Sequence, residues 1–335
     1  MIANLIASVR AGEWWDYKLI PLLTAFYATV VLLERPIASL WPAALTLLLA
    51  LIPGAAFVSL LNDLTDIDED RAAGKPNRMA GRPVAFRIAA ILLPVSAGIL
   101  FLFLWRDEPM LMAVYLAAWI AFTLYSLPPF RLKARGLAGV LADASGAHLF
   151  PTLVAMLIAF RAAERPVDPV WIAAGAAWAF GYGLRGILWH QLSDRENDRM
   201  AGVRTFAQRH PRHVPARLGA WLAFPLELLG LGMLIWKLDS PLPLLFLALY
   251  LSLVWFRIRR WRMQAVLVDP KPKYLIFLQE YYNVFLPLAI LLVSAAIFPI
   301  DALVLAAHLL IFHRRPRETV EDVRTLWRYR KQPVV

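Results

Sequence analysis

The sequence predicts an all-α, polytopic membrane protein of about nine transmembrane helices, and three observations carry that reading. Of its 335 residues, 60% are hydrophobic and 18% charged, whereas soluble domains are roughly half apolar and about a quarter charged. Apolar runs of about 20 residues, enough to cross a bilayer, recur through most of the length. Helix then follows from the solvent, because backbone groups in hydrocarbon must be satisfied within their own segment.

The first apolar segment, 19–33, follows Glu13, Asp16 and Lys18 and lacks a small-residue cleavage site. It reads as a retained helix rather than a signal peptide. Further spans fall at 42–61, 84–105, 109–127, 138–160, 168–190, 215–236, 242–256 and 275–298. The pair Pro128-Pro129 stops the fourth span, since proline cannot continue a helix. The segment 300–312 is short for a crossing and reads as re-entrant or interfacial, ahead of a basic tail at 313–335.

Loop charge orients the chain. Residues 1–18 and the loops 62–83, 128–137, 191–214 and 257–274 hold 20 Lys and Arg, against 5 in the loops 34–41, 106–108, 161–167 and 237–241. The positive-inside rule makes the first face cytoplasmic, in the cell's inner membrane. This loop bias also accounts for the net charge of +11 without nucleic acid. An odd number of spans, however, sends the seven basic residues from Arg314 to Lys331 to the opposite face. The absence of cysteine excludes disulfides, thiolate metal sites and Cys nucleophiles.

Both cytoplasmic acidic stretches follow even-numbered spans. The first, Asn62 to Gly74, packs Asp63, Asp66, Asp68, Glu69 and Asp70 into eight positions. The second, His190 to Gly202, matches it without a gap at Leu, Asp, Asp, Arg, Ala and Gly, six of thirteen positions. Acids beside a bilayer are costly, so their repetition asks for a function. The 128-residue spacing from Asp66 to Asp194 divides the chain into related halves, about 19–137 and 138–256, within one transmembrane domain.

On a helix, Asp63, Asp66 and Asp70 share a face about 60° wide with Asn62 at its edge, and Asp194 and Asp198 lie one turn apart beside Gln191. Such carboxylates facing one cavity repel strongly unless cations hold them together. An all-oxygen donor set favours Mg²⁺, usually completed by phosphate oxygens. Arg71, Lys75 and Arg78 follow the first motif, and Arg195, Arg199 and Arg204 the second; guanidinium groups match phosphate geometry. The set describes a diphosphate site. Within or beside the spans, Asp143, His148, Arg185, His190 and Glu227 are costly in lipid and face the interior, with Asp143 and Arg185 expected to pair. Glu280, Tyr281, Tyr282 and Asn283 cluster at the cytoplasmic end of the ninth span as candidates for acceptor contact.

Asn62, Asp63, Asp66 and Asp70 resemble the Asn-Asp-x-x-Asp-x-x-x-Asp signature of the UbiA superfamily of intramembrane prenyltransferases, and Asp194 and Asp198 its Asp-x-x-x-Asp. The stretch Tyr125-Ser126-Leu127-Pro128-Pro129-Phe130-Arg131-Leu132-Lys133 is similar to one between them in many members. Gln191 stands where some relatives carry an acid or Asn. The resemblance implies a nine-helix bundle around a central cavity and two Mg²⁺ ions bound by Asn62, Asp63, Asp66, Asp70, Asp194 and Asp198. Arg71, Lys75, Arg131, Lys133 and Arg199 would bind the diphosphate of a polyprenyl donor, with Tyr125 orienting it or shielding an allylic cation. Asp66, Asp194, Lys133 and Tyr125 are the catalytic candidates, and the acceptor is lipophilic, with an aromatic one leading. Two rival classes compete. An ion-coupled transporter would place its acids nearer mid-span, and a CDP-alcohol phosphotransferase would need Asp-Gly-x-x-Ala-Arg, which Asp63 to Asp68 does not supply.

Overall fold

The computed structural model, which describes residues 15–72 and 74–328, is mostly helix, and helix covers the greater part of every expected apolar span. Arg10, Glu13, Ala73, Arg330 and Lys331 lie outside the described residues. A π-helical turn, Trp15–Leu19, leads into α1, Ile20–Leu32. Then come α2, Trp41–Thr65; α3, Ile67–Ala72; α4, Val84–Leu104; and α5, Pro109–Ser126. The second half has α6, Leu137–Ala144; α7, Phe150–Ala162; α8, Pro169–Ser193; α9, Arg195–Met200; and α10, Phe206–Arg209. It continues with α11, His213–Leu218; α12, Phe224–Lys237; and α13, Leu242–Trp261. Finally come α14, Leu286–Ile297; α15, Ala302–Ile311; and α16, Arg314–Arg328. Among the described residues, six helical stretches are long and apolar enough to cross a membrane on those criteria: 37–65, 84–104, 109–126, 137–162, 213–237 and 242–261.

Four π-helical turns, at Trp15–Leu19, Ser145–Leu149, Gly219–Ala223 and Tyr281–Phe285, each run into a helix whose second residue is proline: Pro21, Pro151, Pro225 and Pro287. Proline inside a helix lacks an N–H and clashes with the carbonyl four residues back. One inserted residue, which is what a π-turn is, makes room for that ring.

Contacts between elements explain what sequence spacing could not. Helices α8 and α12 touch backbone to backbone. A Cβ on Gly181 would lie 2.5 Å from the Glu227 nitrogen, and one on Gly230 would lie 2.2 Å from that of Trp178. Small residues permit this approach, and it sets Glu227 beside Arg185. The expected Asp143–Arg185 pair is therefore replaced. Arg185, 1% exposed, makes a bidentate pair with the fully buried Glu227 at 2.6 and 2.8 Å, and Tyr282 donates to Glu227 at 2.7 Å. Removing one partner of such a pair costs about 3–5 kcal/mol, because a charge is left buried alone.

The ninth span also starts later than expected. Tyr274–Ile276 pairs in parallel with Gln264–Val266 as a two-stranded ribbon (β2 and β1), so the helix begins at Tyr281. The Arg185 guanidinium donates to the Leu267 carbonyl of this cap at 3.1 Å.

The C-terminal tail returns to the motif face. Before α15, Asp301 accepts from the Ile37 and Ala38 nitrogens in the far-side loop. After it, Phe312 packs on Trp15, and Arg315 lies 3.9 Å from the Tyr17 ring centroid. Arg257 then ties α16 down through Asp322 at 2.7 Å. The segment 300–312 thus runs from the far face to the motif face, and the tail's charge joins the basic side.

Candidate active site

The two acidic motifs fold alike. Helix α2 breaks at Asp66 and α8 at Asp194, yet the hydrogen-bond ladder continues through both. The Asp66 and Asp194 nitrogens donate to Asn62 and His190, and those of Asp70 and Asp198 donate back to Asp66 and Asp194 at 2.8 Å. A six-residue helix follows each break and ends at a glycine of positive φ, Gly74 at 65° and Gly202 at 70°. Only glycine takes that left-handed cap without a steric cost. The next nitrogens, Lys75 and Val203, return to the Asp70 and Asp198 carbonyls at 2.8 and 2.9 Å.

The likeness runs past the thirteen positions. Seven residues after Asp70, Asn77 donates to its carboxylate at 2.8 Å, and seven after Asp198, the Thr205 hydroxyl donates to its carboxylate at 3.1 Å. Both were missed in the sequence reading, although carrying the ungapped repeat three residues further aligns them.

The motifs meet at one mouth. Lys75, from the first, reaches Asp194 of the second at 3.3 Å. Tyr125, at the end of α5, lies within electrostatic range of Asp66, Asp143 and Asp198. The Tyr125–Lys133 stretch closes over the first motif. Lys133 is buried and pairs with Asp66, with Glu69 at 3.5 Å, while Arg131 pairs with Glu69 at 2.7 Å and Asp66 at 3.4 Å. Asp63, 1% exposed, receives Arg78 at 3.0 Å, and the Ser126 hydroxyl donates to Asn62. Burial holds the Asp198 carboxyl above the usual carboxylate range; the Thr205 hydroxyl opposes this, and Asp194 adds to it.

Other predicted residues lie elsewhere. Arg71 pairs with Asp68 and Arg199 with Glu196 across one turn, on the exposed outer faces of α3 and α9; short-helix periodicity turns them outward. Gln191 is buried and accepts from the Ala207 nitrogen at 3.2 Å, which gives it a structural task. Glu280 is held by Arg257 and Thr319, Tyr281 by the Pro243 carbonyl and Tyr282 by Glu227, while Asn283 is buried. These four residues are engaged inside the bundle rather than at the mouth.

As the side chains stand, no three acid or histidine groups among the described residues converge on a metal position. Each motif carboxylate is held by a cation, an amide or a hydroxyl. The donor set is nonetheless oxygen-only and anionic, and every holding group is one that phosphate oxygens can take over, so the residues fit a hard divalent cation. Beneath the mouth lies an apolar cavity of about 130 Å³ between α1, α2, α5 and the Ser145–Leu149 turn, with Lys18 at its edge and Phe57, Tyr115, Trp119 and Phe122 in its wall.

This fold and mouth define a multi-pass membrane protein with a duplicated acidic clasp above an apolar cavity. The chain belongs to the UbiA prenyltransferase family, whose model matches residues 21–278. A UbiA homologue from Archaeoglobus fulgidus, solved with GPP and Mg²⁺, superposes with a TM-score of 0.54 over 92% of this chain and 99% of that one, at 16% identity. Solved with DMAPP and Mg²⁺, that homologue gives 0.56 over 88% and 99%, again at 16%. At that identity the likeness is one of fold. The 2-acylphloroglucinol 4-prenyltransferase of Humulus lupulus is 28% identical over 219 residues, 61% of this chain; the chain spans about half, 48%, of that relative.

Proposed function

We propose that the protein moves a polyprenyl group from an allylic diphosphate to an aromatic acceptor, with Mg²⁺, at the mouth where the two acidic motifs meet. The observation that carries this reading is the Lys75–Asp194 contact, which joins the two clasps at one mouth, with the apolar cavity beneath the first. Asn62, Asp63, Asp66, Asp70, Asp194 and Asp198 would hold two ions, one per motif. When bound, Mg²⁺ supplies positive charge that stabilises the departing diphosphate.

The chain's own residues do the rest. Lys133, Arg131 and Lys75 exchange their carboxylate partners for diphosphate oxygens, so their charge falls where negative charge develops. Arg71 and Arg199 face out and rank below these three. Tyr125, between the clasps, presents its ring to the allylic cation. The cavity is close to the roughly 150 Å³ that accommodates a benzene. It therefore takes about one isoprene unit, and the rest of a longer tail leaves towards lipid. Its apolar wall also keeps water from the cation. The relatives agree with this chemistry: the Archaeoglobus fulgidus homologue was solved with prenyl diphosphates, and the Humulus lupulus relative is named for an acylphloroglucinol, which contains a hydroxylated benzene ring. We place the mouth on the cytoplasmic side of the inner membrane, where the basic loops and tail lie.

Membranes carrying the protein, incubated with labelled geranyl, farnesyl or geranylgeranyl diphosphate, Mg²⁺ and an acceptor panel, test this. Transfer should appear in wild type, vanish with EDTA and return with Mg²⁺. Transfer that persists in both Asp66→Ala and Asp194→Ala would sink the reading.

A further inference from the structure

Building on the prenyl-transfer reading, we propose that a polar chamber beneath the second motif, lined by Asp143, His148 and the open flank of α8 at Gly186, binds the acceptor as a hydroxylated aromatic ring. Asp143 receives the proton that ring loses.

Asp143 and His148 are half-buried in the α6–α7 span, and neither makes a hydrogen bond or a salt bridge among the described residues. An ionisable group at membrane depth is costly and faces an interior that serves it. Two such groups on one helix with no partner mark a place where a partner is brought in.

Their alignment has a cause in the chain. Five residues apart on an α-helix, they would point about 140° away from each other. The Ser145–Leu149 π-turn, which Pro151 demands, absorbs one residue and returns them to within about 40°. Opposite them, α8 presents Gly183, Gly186, His190 and Asp194 on one face. At Gly183 the helices are closed, because a Cβ there would sit 3.0 Å from the His148 Cβ. One turn nearer the mouth, a Cβ on Gly186 would meet nothing within 4 Å. Above His148 the flank of α8 is therefore open at Gly186, on the side that leads to His190 and Asp194. The charged neighbours fit that position: Asp143 feels Lys18, His190 and Tyr125, and His148 feels Lys18 and packs edge-on against Tyr182 at 4.9 Å.

The chemistry needs a base there. The allylic C–O bond breaks with its electron pair leaving on the diphosphate. A π pair of the ring forms the new C–C bond, and the ring carbon's proton must then depart to restore aromaticity. Every motif carboxylate already has a partner, whereas Asp143 has none among the described residues. It accepts that proton, and His148 hydrogen-bonds a ring hydroxyl and fixes which carbon faces the donor.

The test uses the full chain in nanodiscs with Mg²⁺, labelled geranyl diphosphate and a panel of mono-, di- and trihydroxybenzenes, reading transfer and donor binding separately. Asp143→Asn should lower transfer about 100-fold, with donor affinity within about threefold; acceptor deuterated at the receiving carbon should then react more slowly than the protium form. Gly186→Leu should raise acceptor KM about tenfold at unchanged donor KM. Wild-type transfer rates in Asp143→Asn, or loss of donor binding together with transfer, overturn the proposal alone. A wild type that prenylates other acceptors but none of these rings overturns the proposed acceptor as well. A wild type that neither binds nor turns over the donor overturns the parent reading.

Discussion

The first acidic motif ends α2 over a cavity walled by Phe57, Tyr115, Trp119 and Phe122, while the second ends α8, which packs on His148 at Gly183 and brings His190 within electrostatic range of Asp143. Their backbones match to the glycine cap and the seven-residue tether, yet their surroundings differ in kind. The first is neutralised by Arg78, Arg131 and Lys133 and hydrogen-bonded by Asn77, all before residue 137, whereas the second takes Lys75 from the first. Duplication explains the clasp, and in the proposed reaction the divergence beneath it would let one mouth serve two chemically unlike substrates. An apolar wall suits a hydrocarbon tail; unpaired polar groups suit a ring with hydroxyls.

The largest effect should come from breaking the clasps themselves. Asp66→Ala and Asp194→Ala should each lower transfer about 10³-fold, the scale of losing a principal electrostatic stabiliser; a mild defect in one would mean that the clasps do not act together. Next, Lys133→Ala should cost about 100-fold in kcat and Lys75→Ala about tenfold, since Lys133 touches two acids and is buried. Equal losses would place the diphosphate midway between the motifs.

The apolar side can be altered alone. A Cβ at Gly98 would stand 2.6 Å from the Trp119 ring, so Gly98→Leu should push that indole into the cavity. Competition assays should then show preference moving about tenfold from geranylgeranyl to dimethylallyl diphosphate, with acceptor KM unchanged. Asn77→Ala and Thr205→Val should each weaken apparent Mg²⁺ affinity about fivefold, the worth of roughly one hydrogen bond. Arg71→Ala and Arg199→Ala should stay within about twofold of wild type, as exposed one-turn pairs contribute little.

The spans, the clasps and the Tyr125–Lys133 lid were legible because each rests on local pattern: hydropathy, an ungapped repeat, a proline stop. What escaped depends on contacts between distant helices. Nothing in spacing says that Arg185 meets Glu227 rather than Asp143; the Gly181 and Gly230 crossing decides it. Leu275, Ile276 and Phe277 are apolar enough for a span, yet pairing with 264–266 draws them into a ribbon. Arg71 and Arg199 repeat faithfully with the motif, and repetition alone does not say which way a side chain on a six-residue helix points. The alignment of Asp143 with His148 was hidden for a subtler reason, because a 3.6-residue period holds only where no π-turn interrupts it.

The segment Pro299–Ile311 joins the far face to the motif face with thirteen residues, about 20 Å of helix against a hydrocarbon thickness near 30 Å. Asp301 draws the 37–38 backbone down with it. At this corner the protein is shorter than the membrane it sits in, so the surrounding lipid must thin or the bundle must tilt. Hydrophobic mismatch of this kind favours bilayers of short or unsaturated chains, and places the far-side headgroups closest to the buried helices along this edge.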